Sequence, residues 1–76
     1  MEPRIPTVYT LKTRLWGEVP LIAIKMGHNV RLVARPDFEQ VCSAAGNHCP
    51  AWFESEDFLF PQEFENALRE ARKELA

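Results

Sequence analysis

Apolar and polar residues alternate with a period of two through the first half of this 76-residue chain. That period places successive side chains on opposite faces of a β-strand. The pattern predicts three strands, at residues 7–16, 19–26 and 30–35. Between the first two, Gly17-Glu18 suits a two-residue type II′ turn; between the last two, a three-residue loop can end on Asn29, which tolerates the left-handed conformation. The first half is therefore expected to form an antiparallel meander.

The two connections determine which residues face each other. The first turn sets Leu15, Thr13, Leu11 and Tyr9 opposite Pro20, Ile22, Ile24 and Met26. The three-residue loop then sets Ile22, Ile24 and Met26 opposite Ala34, Leu32 and Val30. This register gathers apolar residues on one face, as a core requires. A two-residue second loop is disfavoured because it would place Ile24 opposite Arg31.

The other face of this sheet mixes basic and apolar side chains. The candidate binding residues on it are Lys12, Arg14, Trp16, Leu21, Lys25, Arg31, Val33 and Arg35. Lys25 would lie directly across from Arg31, and like charges so placed destabilise a sheet unless an anion or an acidic surface binds there. Two structural explanations remain open: a solvated face whose basic stems cover apolar side chains, or a helix that packs over it and supplies acids.

The second half of the chain begins with a well-marked helix. Asp37 after Pro36 is a good N-cap, Gln40 completes a capping box, and Gly46 ends the segment. A fourth strand is expected at residues 51–54. The aromatic run at 58–60 either continues that strand or leads into the next helix.

The C-terminal helix is predicted from Pro61, a preferred first-turn residue, to about Leu75. Its apolar stripe consists of Phe64, Ala67, Leu68, Ala71 and Leu75, which suits it to cover the apolar sheet face. The predicted fold class is α+β, in the order β-β-β-α-β-α, with an antiparallel three- to four-stranded sheet, two helices and the C-terminal helix packed on the sheet.

Length restricts the organisation of the chain. Residues 1–76 are expected to form a single domain, with 1–6 as a flexible N-terminal tail, because so short a chain cannot build two cores. A domain of this size buries only about 60% of its unfolded surface, so a homodimer is a plausible source of added stability. The start lacks the apolar run of a secretory signal, and no apolar stretch reaches the ~20 residues of a membrane span. These features predict a cytoplasmic protein without membrane contact, with reduced cysteines.

Residues with catalytic or metal-binding chemistry are sparse. The possible zinc ligands are His28, Cys42, His48 and Cys49, but their spacing lacks the paired short intervals of structural zinc sites. We therefore predict no metal and no cofactor. His48 beside Cys49 in sequence does not establish the geometry of a nucleophilic pair, and the three glycines form no phosphate-binding loop. The chain is expected not to be an enzyme.

The charges are divided along the chain. Residues 1–36 contain six Lys and Arg against two acids, whereas residues 37–76 contain three against nine, for a net charge of −2. A basic face with Trp16, Leu21 and Val33 inside a ring of Arg and Lys has the composition of a protein interface. We expect a small non-catalytic protein-binding module, adaptor or inhibitor, whose partner offers an acidic surface. The small size also fits a phage or mobile-element accessory protein.

The alternative function uses the same face for single-stranded nucleic acid, since such binders combine basic side chains with an aromatic stacking platform. The sequence pI of about 5.6 lacks the basic bias of these domains, so protein binding is preferred. A third option is that the acidic second half neutralises the basic face within the chain.

Overall fold

The computed structural model describes residues 7–75, so the predicted tail at 1–6 lies outside the described part. Three strands are followed by two helices, with a 3₁₀ turn between the helices. The elements are β1 (Tyr9–Lys12), β2 (Glu18–Met26), β3 (Asn29–Ala34), α1 (Pro36–Ala44), the 3₁₀ turn (Ser55–Asp57) and α2 (Pro61–Leu75). The α+β class, the antiparallel sheet, the two helices and the packing of α2 on the sheet are confirmed.

The sheet has the strand order β1-β2-β3, but the predicted register is wrong. Leu21 pairs with Tyr9 on one side and with Ala34 on the other, and Ile24 lies opposite Arg31. β1 and β3 present the predicted faces to the core, whereas β2 is turned over. Its buried residues are Val19 and Leu21 rather than the predicted set of Pro20, Ile22, Ile24 and Met26.

The shorter second connection is the physical reason for the flipped strand. β2 and β3 are joined by the two residues Gly27 and His28, because Met26 already pairs with Asn29. Gly27 has a φ of 63°, the positive value that a type II′ turn requires at its first central position. One residue fewer in the loop moves every side chain of β2 to the other face relative to β3.

The first connection is longer than predicted. β1 ends at Lys12, and Thr13 folds the chain back through two hydrogen bonds of its hydroxyl. Its Oγ1 donates to the Gly17 carbonyl at 2.8 Å and accepts from the Trp16 amide at 2.8 Å. The predicted core residue Leu15 is consequently placed in the loop, where it is 74% exposed.

The predicted fourth strand is replaced by an irregular segment that follows the edge of β3. The Phe53 amide donates to the Leu32 carbonyl at 2.9 Å, and the Glu54 amide donates to the Asp57 carboxylate at 2.9 Å as the 3₁₀ turn begins. Phe58 then forms a single bridge with Thr13. The aromatic segment thus packs its rings inward without adding a continuous strand.

The predicted cap of α1 is also wrong. The helix begins at Pro36 with Arg35 as its N-cap and without a side-chain capping bond. Asp37 instead accepts two hydrogen bonds from the Arg35 guanidinium, at 2.6 and 2.9 Å. This bidentate contact lowers the pKa of the Asp37 carboxyl. Gly46, with a φ of 80°, follows the helix end as predicted.

The core lies between the inner face of the sheet, defined as the face toward α2, and the aromatic segment. Its residues are Val19, Leu21, Leu32, Ala34, Phe53, Phe58, Phe64, Ala67 and Ala71. Phe58 stacks on Phe64 with ring centroids 4.7 Å apart and lies 5.5 Å from Phe53. The α2 stripe is confirmed for Phe64, Ala67 and Ala71, with Leu68 half-buried.

Candidate protein-binding surface

The structure does not bring the eight candidate binding residues onto one face, because of the changed register of β2. Leu21 is fully buried in the core, and Trp16 packs edge-on against Phe53 with centroids 5.5 Å apart. Lys25 lies on the same face as Leu21, toward α2, and pairs with Val30 rather than with Arg31. The predicted like-charge pair of Lys25 and Arg31 is therefore absent from the sheet.

Two further arginines make contacts within the chain. The Arg14 amide donates to the Asp57 carbonyl at 2.9 Å, and its Nε donates to the Glu56 carbonyl at 3.2 Å. Arg35 holds Asp37 in the bidentate contact described above. Arg14 connects two segments of the chain, whereas Arg35, whose amide donates to the Pro20 carbonyl at the end of the sheet, pairs locally with Asp37.

The remaining three candidates, Lys12, Arg31 and Val33, share what we call the outer face, the side of the sheet away from α2. This face also presents a contiguous set of apolar side chains, the outer-face patch. Its members are Pro20, Ile22, Ile24, Met26 and Val33. Met26 is 40% exposed and the other four are half-buried.

Within residues 7–75, no helix covers this patch. α2 is the helix in substantial contact with the strands, and its buried residues join the core on the inner face. None of the five patch residues packs against that core. A small antiparallel sheet can leave one face to solvent, but such faces are usually polar, so an apolar one marks a candidate interaction surface.

A cation–π pair borders the patch. The Arg31 guanidinium carbon lies 4.8 Å from the centroid of the Trp52 ring, and Arg31 is the cross-strand neighbour of Ile24. Trp52 belongs to the segment that follows the β3 edge, so it reaches Arg31 from outside the sheet. Sequence reasoning missed Trp52, because tertiary contacts of the neighbouring Phe53, its hydrogen bond to Leu32 and its packing in the core, place this irregular segment beside β3.

The charges on the outer face are few. Lys12 lies opposite Glu18 in the strand register but forms no ion pair with it. Arg31 makes no ion pair with any residue in the range 7–75, where Arg35–Asp37 is the ion pair found. The predicted basic face is thus reduced to an apolar patch with Lys12 and Arg31 as the basic residues of that face that make no ion pair within residues 7–75.

The cysteine and histidine residues form a separate group at the end of α1. The Cys49 amide donates to the Glu39 carboxylate at 3.2 Å, and the Ser43 hydroxyl lies 2.8 Å from Nδ1 of His48. Burial, together with Glu39 and Cys42, raises the pKa of the Cys49 thiol to about 12. Cys49 is consequently a weak nucleophile at neutral pH. Residues 7–75 contain no group of three or more metal-ligating side chains.

Among the described residues, no helix has the length and apolar character needed to cross a membrane. Comparison of the chain with known protein families, with curated proteins and with solved structures finds no match.

Proposed function

We propose that this protein is a small non-catalytic binding module whose outer-face patch docks on a partner protein. One observation carries the proposal: the central strand presents Pro20, Ile22, Ile24 and Met26 on a face that no described helix covers. Burying such side chains yields roughly 25 cal/mol per Å² of apolar surface, so covering the patch favours association. The protein-binding function expected from the sequence is kept, but on a different set of residues.

The charge beside the patch indicates the chemistry of the partner. Arg31 and Trp52 combine an unpaired guanidinium with a large aromatic surface, the residue types that dominate binding energy at protein interfaces. A complementary partner would bring an apolar centre to the patch and a carboxylate to Arg31. The acidic residues expected on the partner's surface would thus lie next to Arg31, at the border of the patch.

The experiment places the photo-crosslinking residue p-benzoylphenylalanine at Met26 in the patch, with the chain produced in its own organism. A matched control carries the same residue at Arg69, which is exposed on α2. We expect a discrete protein adduct from position 26, none of the same mass from position 69, and its loss in the Arg31→Glu background. Equal labelling from both positions would contradict the proposal.

The adduct also identifies the class of partner. An adduct of twice the chain mass would mean that a second copy covers the patch, which overturns a heterologous partner. A nuclease-sensitive adduct would favour the single-stranded nucleic-acid alternative. In that case labelled single strands should bind the purified chain with an affinity that falls steeply between about 50 and about 200 mM salt, and the Arg31→Glu variant should bind more weakly.

A further inference from the structure

β3 is an edge strand, and the structure leaves one end of it open. Arg35 donates to the Pro20 carbonyl at 2.8 Å, so the odd-numbered residues of β3 bond to β2, and the even-numbered ones face outward. The outward-facing carbonyl of Leu32 accepts a hydrogen bond from the Phe53 amide and is therefore occupied. The N–H and C=O of Val30 also point outward, and no backbone group within residues 7–75 pairs with them.

A groove of about 220 Å³ runs beside this open end, between β3 and α2. One wall is formed by β3 at Asn29–Leu32 and the other by α2. Half-buried Val30 and Leu68 supply apolar surface to the groove, whereas Phe53 and Phe64 border it as almost fully buried core residues. An exposed edge strand beside such side chains is the arrangement in which an extended peptide adds to a sheet, gaining main-chain hydrogen bonds from the edge and specificity from the groove.

The two ends of the groove carry opposite charges. Glu54 and Glu65 lie at the end near Phe53. Arg72 lies at the other end and also borders an adjoining depression, which Lys25 and His28 line. Glu65 and Arg72 are seven residues apart on α2, a separation of about 10 Å at the helical rise, which equals about three residues of extended chain.

We propose that this groove binds an extended segment of a partner protein, which adds as a short strand beside Val30. The segment carries an acidic residue at the Lys25–Arg72 end, a basic residue at the Glu54–Glu65 end and apolar residues between them. Its backbone exchanges a pair of hydrogen bonds with the Val30 N–H and C=O. The site shares the border residue Arg31 with the outer-face patch but contains none of the five patch residues, and it does not depend on the function proposed for that patch.

The test uses a phage-displayed library of random nonapeptides selected on the purified chain. We expect the enriched peptides to place an acidic and a basic residue about three positions apart with apolar residues between them. The affinity of the chain for a synthetic copy of the most enriched peptide is then measured by fluorescence anisotropy. Enrichment of no peptide over an unrelated immobilised protein would overturn the proposal.

Substitutions in the chain test the two interactions separately. Val30→Pro removes the outward N–H on an edge strand, where proline is tolerated because that group makes no ladder bond. Val30→Pro and Arg72→Glu should each weaken binding about tenfold or more, whereas Lys73→Glu, an equal charge change beside the groove residue Arg72, should not. Weakening by Met26→Asp alone would place the peptide on the outer-face patch and overturn this site.

A change in the peptide makes the test independent of protein folding. N-methylation of the one peptide amide that bonds the Val30 carbonyl removes a donor but leaves the side chains in place, so affinity should fall about tenfold. Methylating the next amide along, which faces away from β3, should leave the affinity nearly unchanged. Equal effects at both positions would contradict strand addition.

Discussion

Thr13 shows how a single side chain determines the start of β2. It is 3% exposed, and its hydroxyl satisfies both the Gly17 carbonyl and the Trp16 amide in the connection after β1. The same residue forms the bridge with Phe58. Because the hydroxyl closes the loop on itself, β1 stops at Lys12 and β2 begins at Glu18, which helps to fix the pairing of the two strands.

The Cys49 thiol supplies a prediction on pH. Its folded pKa of about 12 lies above the ordinary value of about 8.5, so the unfolded chain ionises first as the pH rises. Above about pH 8.5 the unfolded chain releases the Cys49 proton while the folded chain keeps it. The free energy of unfolding should therefore fall progressively as the pH rises from about 8.5. For the same reason, folded Cys49 should be alkylated slowly at pH 8.

The measurement uses the Cys42→Ser variant, in which Cys49 is the remaining thiol. Its reaction with iodoacetamide at pH 8 should be at least about a hundredfold slower in the folded chain than in urea, because thiolate is the reactive form. The same reagent with a short model peptide provides the reference for a free thiol. Comparable rates for the folded and unfolded chains would show that Cys49 is not shielded as described.

At the scale of elements, the aromatic segment between the helices contributes much of the core. Phe58 is 1% exposed and contacts the rings of both Phe53 and Phe64. Phe58→Ala should lower the free energy of unfolding by about 3–5 kcal/mol, as expected for a buried phenylalanine. Phe60→Ala, two residues away and 52% exposed in the native protein, is the matched control and should cost less than about 1 kcal/mol.

Urea denaturation followed by tryptophan fluorescence measures both variants. Because small domains are stable by only about 5–15 kcal/mol, the Phe58→Ala chain should unfold at a much lower urea concentration. Similar midpoints for the two variants would mean that the segment is not part of the cooperative core.

The register of β2 limited what the sequence could predict. Its period of two correctly predicts a strand, but both faces of β2 are apolar, with Val19 and Leu21 on one and Ile22 and Ile24 on the other. The hydrophobic pattern therefore did not decide which face is buried, and the loop length did. The predicted inner faces of β1 and β3 were correct within the strands, where the opposite faces carry charged residues such as Lys12 and Arg31, although Leu15 and Leu75 are exposed.

The candidate surface changed for the same reason. Once β2 is turned over, Ile22 and Ile24 move from the predicted core to the outer face, and Leu21 moves from the predicted surface to the core. Arg31 and Val33 kept their predicted face. Trp52 joins them through a contact between segments 21 residues apart in sequence, which neither periodicity nor local turn chemistry encodes.

On the scale of the whole molecule, the division of charge along the chain does not become a set of ion pairs between its halves. The ion pair found within residues 7–75, Arg35–Asp37, straddles the division between the halves but joins residues only two positions apart. Arg14 reaches the second half through the backbone carbonyls of Glu56 and Asp57. The two halves are instead joined by apolar packing, in which α2 covers the inner face of the sheet.

This arrangement predicts that salt has little effect on folding. The ion pair found within residues 7–75, Arg35–Asp37, is exposed, so screening it at high salt should change the free energy of unfolding little. The free energy of unfolding should therefore change by less than about 1 kcal/mol between about 0.02 and about 0.5 M sodium chloride. Urea titrations at both concentrations measure it, with equal m-values as the control for unchanged cooperativity.

A fall of several kcal/mol in the free energy of unfolding at high salt would instead mean that the acidic half neutralises the basic half. The two results also separate folding from binding. If Arg31, Lys25 and Arg72 bind partners, salt should lower the affinity for the selected peptide and the yield of the outer-face adduct. The free energy of unfolding should stay nearly unchanged. Binding would then depend on salt and folding would not, because the charges of the two halves would interact with partner molecules rather than with each other.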